Sequence, residues 1–402
     1  MLKSQKYAWV ICVLGSLAMF CSMGICSNML SYFLPYIEQT GISHSAGSSL
    51  ISIRCVFSLL ALFFINRYFK VLGLRKGLFI SMLLVAASSF LYSISDSALM
   101  YQVATAVGGV GYALGGLVPV SILIKKWFKD HLGVAMAIAT IGSSLASVIL
   151  PPIMEKVLNA VGLSNTYLVL AAFTMFVALL MIIFLRNDPA EFGLVPYTDH
   201  NNSKIKTMNF NTKQMSNLGL VLILMTLFLT CGVAQSGIGH MSVLAESTGY
   251  GGDIRSLMLS VFGLSSIFAK LVFGEIVDYF GTKRASQILY LIIIGGCFAT
   301  FFMNGDSLWP CFAVSVMFGL GFTVTTVGIS LWAVELSDAP SYERTLKVFQ
   351  IVIAIGGILF GVIPGLFYER FGDYILVYEA FGVLTIIAVI FLTLTYRREI
   401  GK

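Results

Sequence analysis

The stretch that opens Thr40-Gly41-Ile42-Ser43-His44 and closes Gly73-Leu74-Arg75-Lys76 lies without a gap on the stretch that opens Thr248-Gly249-Tyr250-Gly251-Gly252 and closes Gly281-Thr282-Lys283-Arg284. The offset is constant, at about two hundred residues, so one half of the chain is a diverged copy of the other. Each copy sets an acid, Glu38 or Glu246, ahead of the Thr-Gly, then an apolar run of membrane length, then a glycine and a basic pair. A fainter echo accompanies it: Gly109-Val110-Gly111-Tyr112 answers Gly319-Leu320-Gly321-Phe322.

Of the 402 residues, 58% are hydrophobic and 11% charged, whereas roughly 25% is charged in soluble domains. The chain reads as an all-α membrane protein. A spanning helix needs about 20 apolar residues. Turn and charge clusters cut the sequence into twelve such segments, near 8–37, 45–66, 77–95, 98–124, 132–155, 165–185, 217–245, 254–276, 285–303, 307–334, 345–368 and 374–396. The one long polar stretch, rich in Asn, Thr and Lys, follows the sixth. It divides the chain into an N-terminal six-helix bundle at 1–186, a linker loop at 187–216 and a C-terminal six-helix bundle at 217–402. Two pseudo-symmetric bundles can alternate around a shared central site, the architecture expected of a secondary transporter.

Lysine and arginine set the orientation. With the N-terminus inside, twenty of the 25 fall in cytoplasmic segments and three (Lys156, Arg255 and Arg370) outside, while Arg54 and Lys270 stay within spans. Both termini are therefore expected in the cytoplasm, with the protein multi-pass in the cytoplasmic (inner) membrane of a bacterium. The net charge of +6 then records orientation. A nucleic-acid partner would need that charge gathered on one soluble face, so none is expected; the lipid bilayer is the expected surrounding. The seven cysteines lie in apolar segments, where packing is the fitting role, and neither a disulfide, a metal nor any other cofactor is implied. Lys3 and Lys6 before an apolar run imitate a signal peptide, but the run outlasts an apolar core of about 7–15 residues and reads as an uncleaved first helix. Four scattered histidines make no catalytic cluster, so no enzyme is expected. A channel would show a filter repeat or a ring of like charge.

Gly274-Glu275-Ile276-Val277-Asp278-Tyr279-Phe280-Gly281-Thr282-Lys283-Arg284 resembles the loop motif of the major facilitator superfamily, G-x-x-x-D-x-x-G-x-[KR]-[KR], between the eighth and ninth spans. The resemblance implies the major facilitator fold and a gate role for Gly274, Asp278, Gly281, Lys283 and Arg284, answered in the first copy by Gly73, Arg75 and Lys76. Physically, a carboxylate at a helix end beside a basic pair can bind neighbouring helix termini; a plain topology signal is the other reading. The first copy departs from the pattern, with Asn66 in place of the glycine and Lys70 in place of the aspartate.

Three further stretches carry a narrower resemblance, to monocarboxylate transporters and oxalate/formate antiporters. They are Lys126-Trp127-Phe128-Lys129-Asp130-His131-Leu132-Gly133-Val134-Ala135 with Pro151-Pro152 downstream, Arg186-Asn187-Asp188-Pro189-Ala190-Glu191-Phe192-Gly193-Leu194-Val195-Pro196, and His240-Met241-Ser242-Val243-Leu244-Ala245-Glu246 before Thr248-Gly249. This resemblance implies a small organic anion as substrate, a mono- or short dicarboxylate, moved with protons or against a counter-anion.

Arg54 and Lys270 are the two cations inside spans. A charge there costs about 2.5–3.5 kcal/mol on insertion scales and so faces a wet cavity or a partner. The anion-carrier resemblance sets a basic residue for the substrate carboxylate at Lys270; a helix–helix contact is the alternative. Arg54 divides between a substrate role and pairing with an acid such as Glu379. Asn28, Tyr32, Tyr112, Gln235 and Trp332, on the first, fourth, seventh and tenth spans, would shape the site, and each also reads as ordinary packing. The monocarboxylate group sets an aspartate one turn before its eighth-span cation, where this chain has Ser266. Glu379, Glu335 and His240 remain as proton-coupling candidates. Glu335 reads also as a solvated helix end, and His240 as a hydrogen-bonded lining residue. The rival reading is a neutral or drug-like cargo with structural cations.

The orientation has a direct check. A membrane-impermeant maleimide should leave Lys204→Cys, in the middle loop, unlabelled in intact cells and should label it in inverted vesicles; labelling from outside would overturn the twelve-span assignment.

Overall fold

A computed structural model describes residues 2–129, 132–198, 216–337 and 342–399, apart from the side chains of 2–5, 132, 133, 192, 274, 278, 330, 334, 342, 343, 346 and 347. Asp130-His131, Lys204 in the middle loop and the Gly274 and Asp278 positions of the loop motif therefore lie outside the described residues or side chains. Among the described residues, ten helical stretches are long and apolar enough to cross a membrane. Two of them, His44–Ser93 and Val134–Phe184, run for 50 and 51 residues, although about 20 suffice to cross the hydrocarbon. Each breaks at a glycine with a left-handed φ, Gly73 (φ 71°, ψ 169°) and Gly162 (φ 80°, ψ 173°). Reading each as two crossings brings the ten stretches to the expected twelve.

The duplication is visible in the backbone. Gly281, the counterpart of Gly73, turns with φ 79° and ψ 157°. Gly41 and Gly249 share φ values of 95° and 94°, and Gly162 and Gly372 have 80° and 71°. A side chain in the left-handed region costs about 1–2 kcal/mol, so these glycines settle where one helix stops and the next begins. Packing repeats too. A Cβ on Gly109 would stand 2.7 Å from the Arg54 carbonyl oxygen, and one on Gly319 would stand 2.5 Å from the Phe262 carbonyl oxygen. The second and fourth spans thus meet backbone to backbone at the level where the eighth and tenth do, as small residues permit in lipid.

By compactness the chain gathers into two units, one of Met1–Leu30 with Ile53–Lys206 and one of Ser31–Ser52 with Thr207–Lys402. In the first, the helix Leu2–Met19 passes into a π-helical stretch at Phe20–Met29, and both pack on Leu132–Phe184. In the second, Asn217–Gly239 packs on Tyr342–Phe371 and Ile375–Glu399, and Leu308–Gly321 packs on Gly252–Ala299. A second π-helical stretch, Val324–Gly328, interrupts the tenth span. Such stretches loosen the regular hydrogen-bond ladder and recur at functional sites. Phe63, Phe64, Leu264, Phe268 and Leu291 are each more than 60% exposed, as lipid-facing side chains must be.

Gly319→Ala should drive a methyl into the Phe262 carbonyl and cost about 1–3 kcal/mol by overpacking, read as a lower melting temperature in detergent. Gly251→Ala, with open space at its Cβ and φ of −69°, should melt like the parent.

Candidate functional site

In the first unit, Arg54 is only 3% exposed. Its guanidinium carbon lies 4.9 Å from the centroid of the Tyr112 ring, a contact worth about 2 kcal/mol when desolvated. The close approach at Gly109 brings the two spans near enough for it. At the equivalent positions of the second copy stand Phe262 and Phe322, whose rings are 5.8 Å apart. The duplication kept the contact and changed its chemistry, a cation on a ring in one copy and two rings in the other.

The same unit holds a cavity of about 20 Å³ lined in part by Cys26, Ser88, Ser89, Tyr92, Thr105 and Tyr167, room for a water molecule. Cys26 and Tyr92 both lie within electrostatic reach of Arg54. The Tyr92 hydroxyl meets Thr105 Oγ1 at 2.5 Å, and its ring stacks on Tyr167 at 4.8 Å. Cys26 belongs to the π-helical stretch, as does Asn28, whose amide donates to the Ser143 carbonyl at 3.1 Å and to Ser147 Oγ at 2.6 Å. Asn28 therefore ties the first span to the fifth.

The second unit holds the remaining candidates. Lys270 is half-buried on the helix Gly252–Ala299, and Gln235 is half-buried on Asn217–Gly239. Trp332 is fully buried; its indole N–H donates to Ser286 Oγ at 3.0 Å and its ring stacks on Tyr290 at 6.4 Å. The Tyr290 hydroxyl in turn meets Thr230 Oγ1 at 2.6 Å, so a chain of contacts runs from Trp332 through Tyr290 to the seventh span. Tyr32 is buried against Phe33 and Tyr36, and its carbonyl accepts from Ser242. His240 is buried with Nδ1 2.9 Å from the Ser236 carbonyl and Nε2 2.8 Å from Ser48 Oγ. A carbonyl only accepts, so Nδ1 carries a proton, and in the neutral form of the ring Nε2 accepts from Ser48.

Glu335, half-buried at the end of the helix Ile329–Leu336, has two hydroxyl partners. It accepts from Thr282 Oγ1 at 2.5 Å and from the Tyr396 hydroxyl at 2.7 Å, joining the turn at Gly281 to the last helix. Glu379 is half-buried, and no hydrogen bond or ion pair reaches it among the described residues.

Two of the stretches that carry the narrower resemblance meet at one end of the first unit. The Tyr197 N–H donates to the Trp127 carbonyl at 2.8 Å and the Lys129 N–H to the Tyr197 carbonyl at 3.0 Å, a parallel bridge between Phe128 and Tyr197. Lys126 lies 3.8 Å from Asp188, which caps the short helix Pro189–Phe192. Arg75 is engaged here as well. Its backbone N–H donates to Asn187 Oδ1 at 2.8 Å, and its Nε donates to the Ile182 carbonyl at 2.7 Å, a cation on the carboxyl end of a helix. Lys76 and Arg284 are exposed and Lys283 is half-buried.

The family model of the Major Facilitator Superfamily matches residues 15–361 and 241–402. The chain belongs to the major facilitator superfamily. An uncharacterized MFS-type transporter of Bacillus subtilis (strain 168), YcxA, is 23% identical over 390 residues, 93% of this chain and 91% of that protein. Monocarboxylate transporter 12 of Xenopus laevis is 23% identical over 298 residues, 68% of this chain and 64% of that protein. The crystal structure of the nucleoside transporter NupG superposes with a TM-score of 0.76 at 11% identity, covering 97% of this chain and 99% of that one, and shows the shared fold. This major facilitator protein is accordingly a multi-pass membrane secondary transporter, and members of the superfamily are in general not enzymes.

Glu335→Ala should leave the Thr282 and Tyr396 hydroxyls without their acceptor, a loss of about 1–3 kcal/mol read as a lower melting temperature. Glu335→Gln keeps one acceptor oxygen and should lose less.

Proposed function

We propose that this transporter carries a small organic anion, a mono- or short dicarboxylate, by alternating access between its halves 1–186 and 217–402, with 187–216 as linker. Both termini and the linker lie in the cytoplasm, and transport runs as proton symport or as exchange against a counter-anion. The observation that carries the reading is Arg54, buried on Tyr112, where the second copy has only aromatic rings. A charge retained at that depth needs a function, and a guanidinium fork matches a carboxylate. Lys270 is the second anchor, a point charge at the position that the resemblance to anion carriers assigns. Asn28, Tyr32, Tyr112, Gln235, His240 and Trp332 set the shape around these anchors. Similarity to a protein named as a monocarboxylate transporter supports the same substrate class.

The gate is the loop motif. Asp278 with Gly274, Gly281, Lys283 and Arg284 holds one conformational state, whereas in the first copy Arg75 beside Gly73 and Lys76 is engaged within its own unit. Proton coupling falls to the acids and imidazole near span interiors, Glu379, Glu335 and His240.

Binding of a panel of labelled mono- and dicarboxylates to purified protein tests the anion reading. Arg54→Ala and Lys270→Ala should each lose about 2–5 kcal/mol of affinity, the cost of truncating a buried charge pair, and Arg54→Lys should retain part of it. Unchanged anion affinity in both alanine variants, with folding intact, favours the neutral cargo. Proteoliposome uptake with and without a proton gradient or internal counter-anion separates symport from exchange.

A further inference from the structure

Both copies keep an acid ahead of their Thr-Gly, and those acids have different partners. Glu246 lies 3.4 Å from Arg255 Nη1 and accepts from the Gln39 side chain at 2.6 Å. The first-copy position that matches Arg255 is Gly47, where a Cβ would stand 2.7 Å from Glu38 Oε1. Glu38 lies on that glycine with its side chain 6% exposed, and its Oε2 meets His44 Nδ1 at 2.7 Å. Oε1 has no hydrogen-bond partner among the described residues, so it can take a proton without breaking a bond. Arginine supplies a permanent cation. A Glu–His pair has no permanent cation to keep its buried acid ionised.

The surroundings belong to the second unit. Glu369 accepts from the Ser45 N–H at 2.9 Å, the Tyr368 ring lies 4.4 Å from the His44 ring, and the Tyr374 hydroxyl lies 3.4 Å from His44 Nδ1. His240 lies 6.4 Å from the Tyr374 ring, and Arg255 lies 4.7 Å from the Tyr36 ring. Three acids, Glu38, Glu246 and Glu369, therefore share this end with one arginine and two histidines. The segment Ser31–Ser52 is fastened to the helices of residues 207–402 by hydrogen bonds around this cluster. Ser31 Oγ donates to the Ile238 carbonyl at 2.5 Å, Ser52 Oγ donates to the Ile358 carbonyl at 2.6 Å, and Ser45 and Ser48 reach Glu369 and His240.

We infer that Glu38 and His44 form a proton-binding site of the transport cycle, whose occupancy decides whether Ser31–Ser52 stays fastened. The inference rests on the transporter reading and serves its symport arm. With Glu38 ionised, the His44 Nδ1–H donates to Oε2, a bond to a charged acceptor that holds the turn between them. One more proton, drawn from water past the 38%-exposed His44 side chain and bound at Oε1, converts the carboxylate to a neutral carboxyl. The bond loses its charged acceptor and roughly half its strength, and the turn that seats His44 on Tyr368 and Tyr374 is loosened, which weakens the hold on the segment. Loss of the proton to water reverses the step.

Hydrogen–deuterium exchange of the purified full chain in detergent, from about pH 5 to about pH 8, tests this against peptides elsewhere that correct for intrinsic rates. Residues 31–52 should exchange about tenfold faster at the acid end. Glu38→Gln, which mimics the neutral acid, should exchange fast at both ends. Gly47→Arg, which gives the first copy the cation of the second, should exchange slowly at both; the crowding atom there is the tip of a flexible side chain. A flat wild-type profile, or a wild-type pH response retained in either variant, overturns the inference. No substrate is present, so the outcome stands apart from the anion-binding test.

Discussion

Hydrocarbon offers a backbone amide no partner, so every crossing of this chain has to close its hydrogen bonds within a helix. Everything else follows from how those helices stop and how they touch. They stop where glycine takes a left-handed φ, at Gly73, Gly162 and Gly281 inside otherwise continuous helices. They touch where glycine lets one backbone lie on the carbonyl of another, at Gly109 on Arg54 and at Gly319 on Phe262. Lipid gives no hydrophobic reward for helix association, which leaves close packing and buried polar contacts to supply it.

Once two copies share that scaffold, the chemistry resides where they differ. A guanidinium over Tyr112 in one copy answers a Phe262–Phe322 pair in the other. An acid paired with Arg255 in one answers an acid on Gly47 paired with His44 in the other. In the first case the backbone contact is common and the charge is not; in the second the acid is common and its partner is not.

Much of the architecture was legible in the linear chain. Apolar runs about 20 residues long carry the fold class, and the gapless repeat anticipated Gly73 and Gly281, which turn with φ within ten degrees of each other. Arg54 and Lys270 stood out as charges in apolar runs. The partners of these residues did not stand out. Hydropathy records that a segment is buried in a membrane, yet leaves open the rotation of each helix about its own axis, which decides whether Arg54 meets Tyr112 or an acid. Glu335 read as a solvated end because it lies near a span boundary, while Thr282 and Tyr396, 53 and 61 residues away, supply its hydrogen bonds.

By itself the sequence determined the membrane, the duplication, the superfamily motif and which side chains are too polar to face lipid, because each is a matter of composition, spacing or period. Only the tertiary structure decided that Trp127 and Phe128 pair with Tyr197, that His240 meets Ser48 across 192 residues, and that Glu38 holds a histidine where Glu246 holds an arginine. Those contacts join residues far apart in the chain, and their existence depends on helix rotation and crossing, which no local pattern encodes.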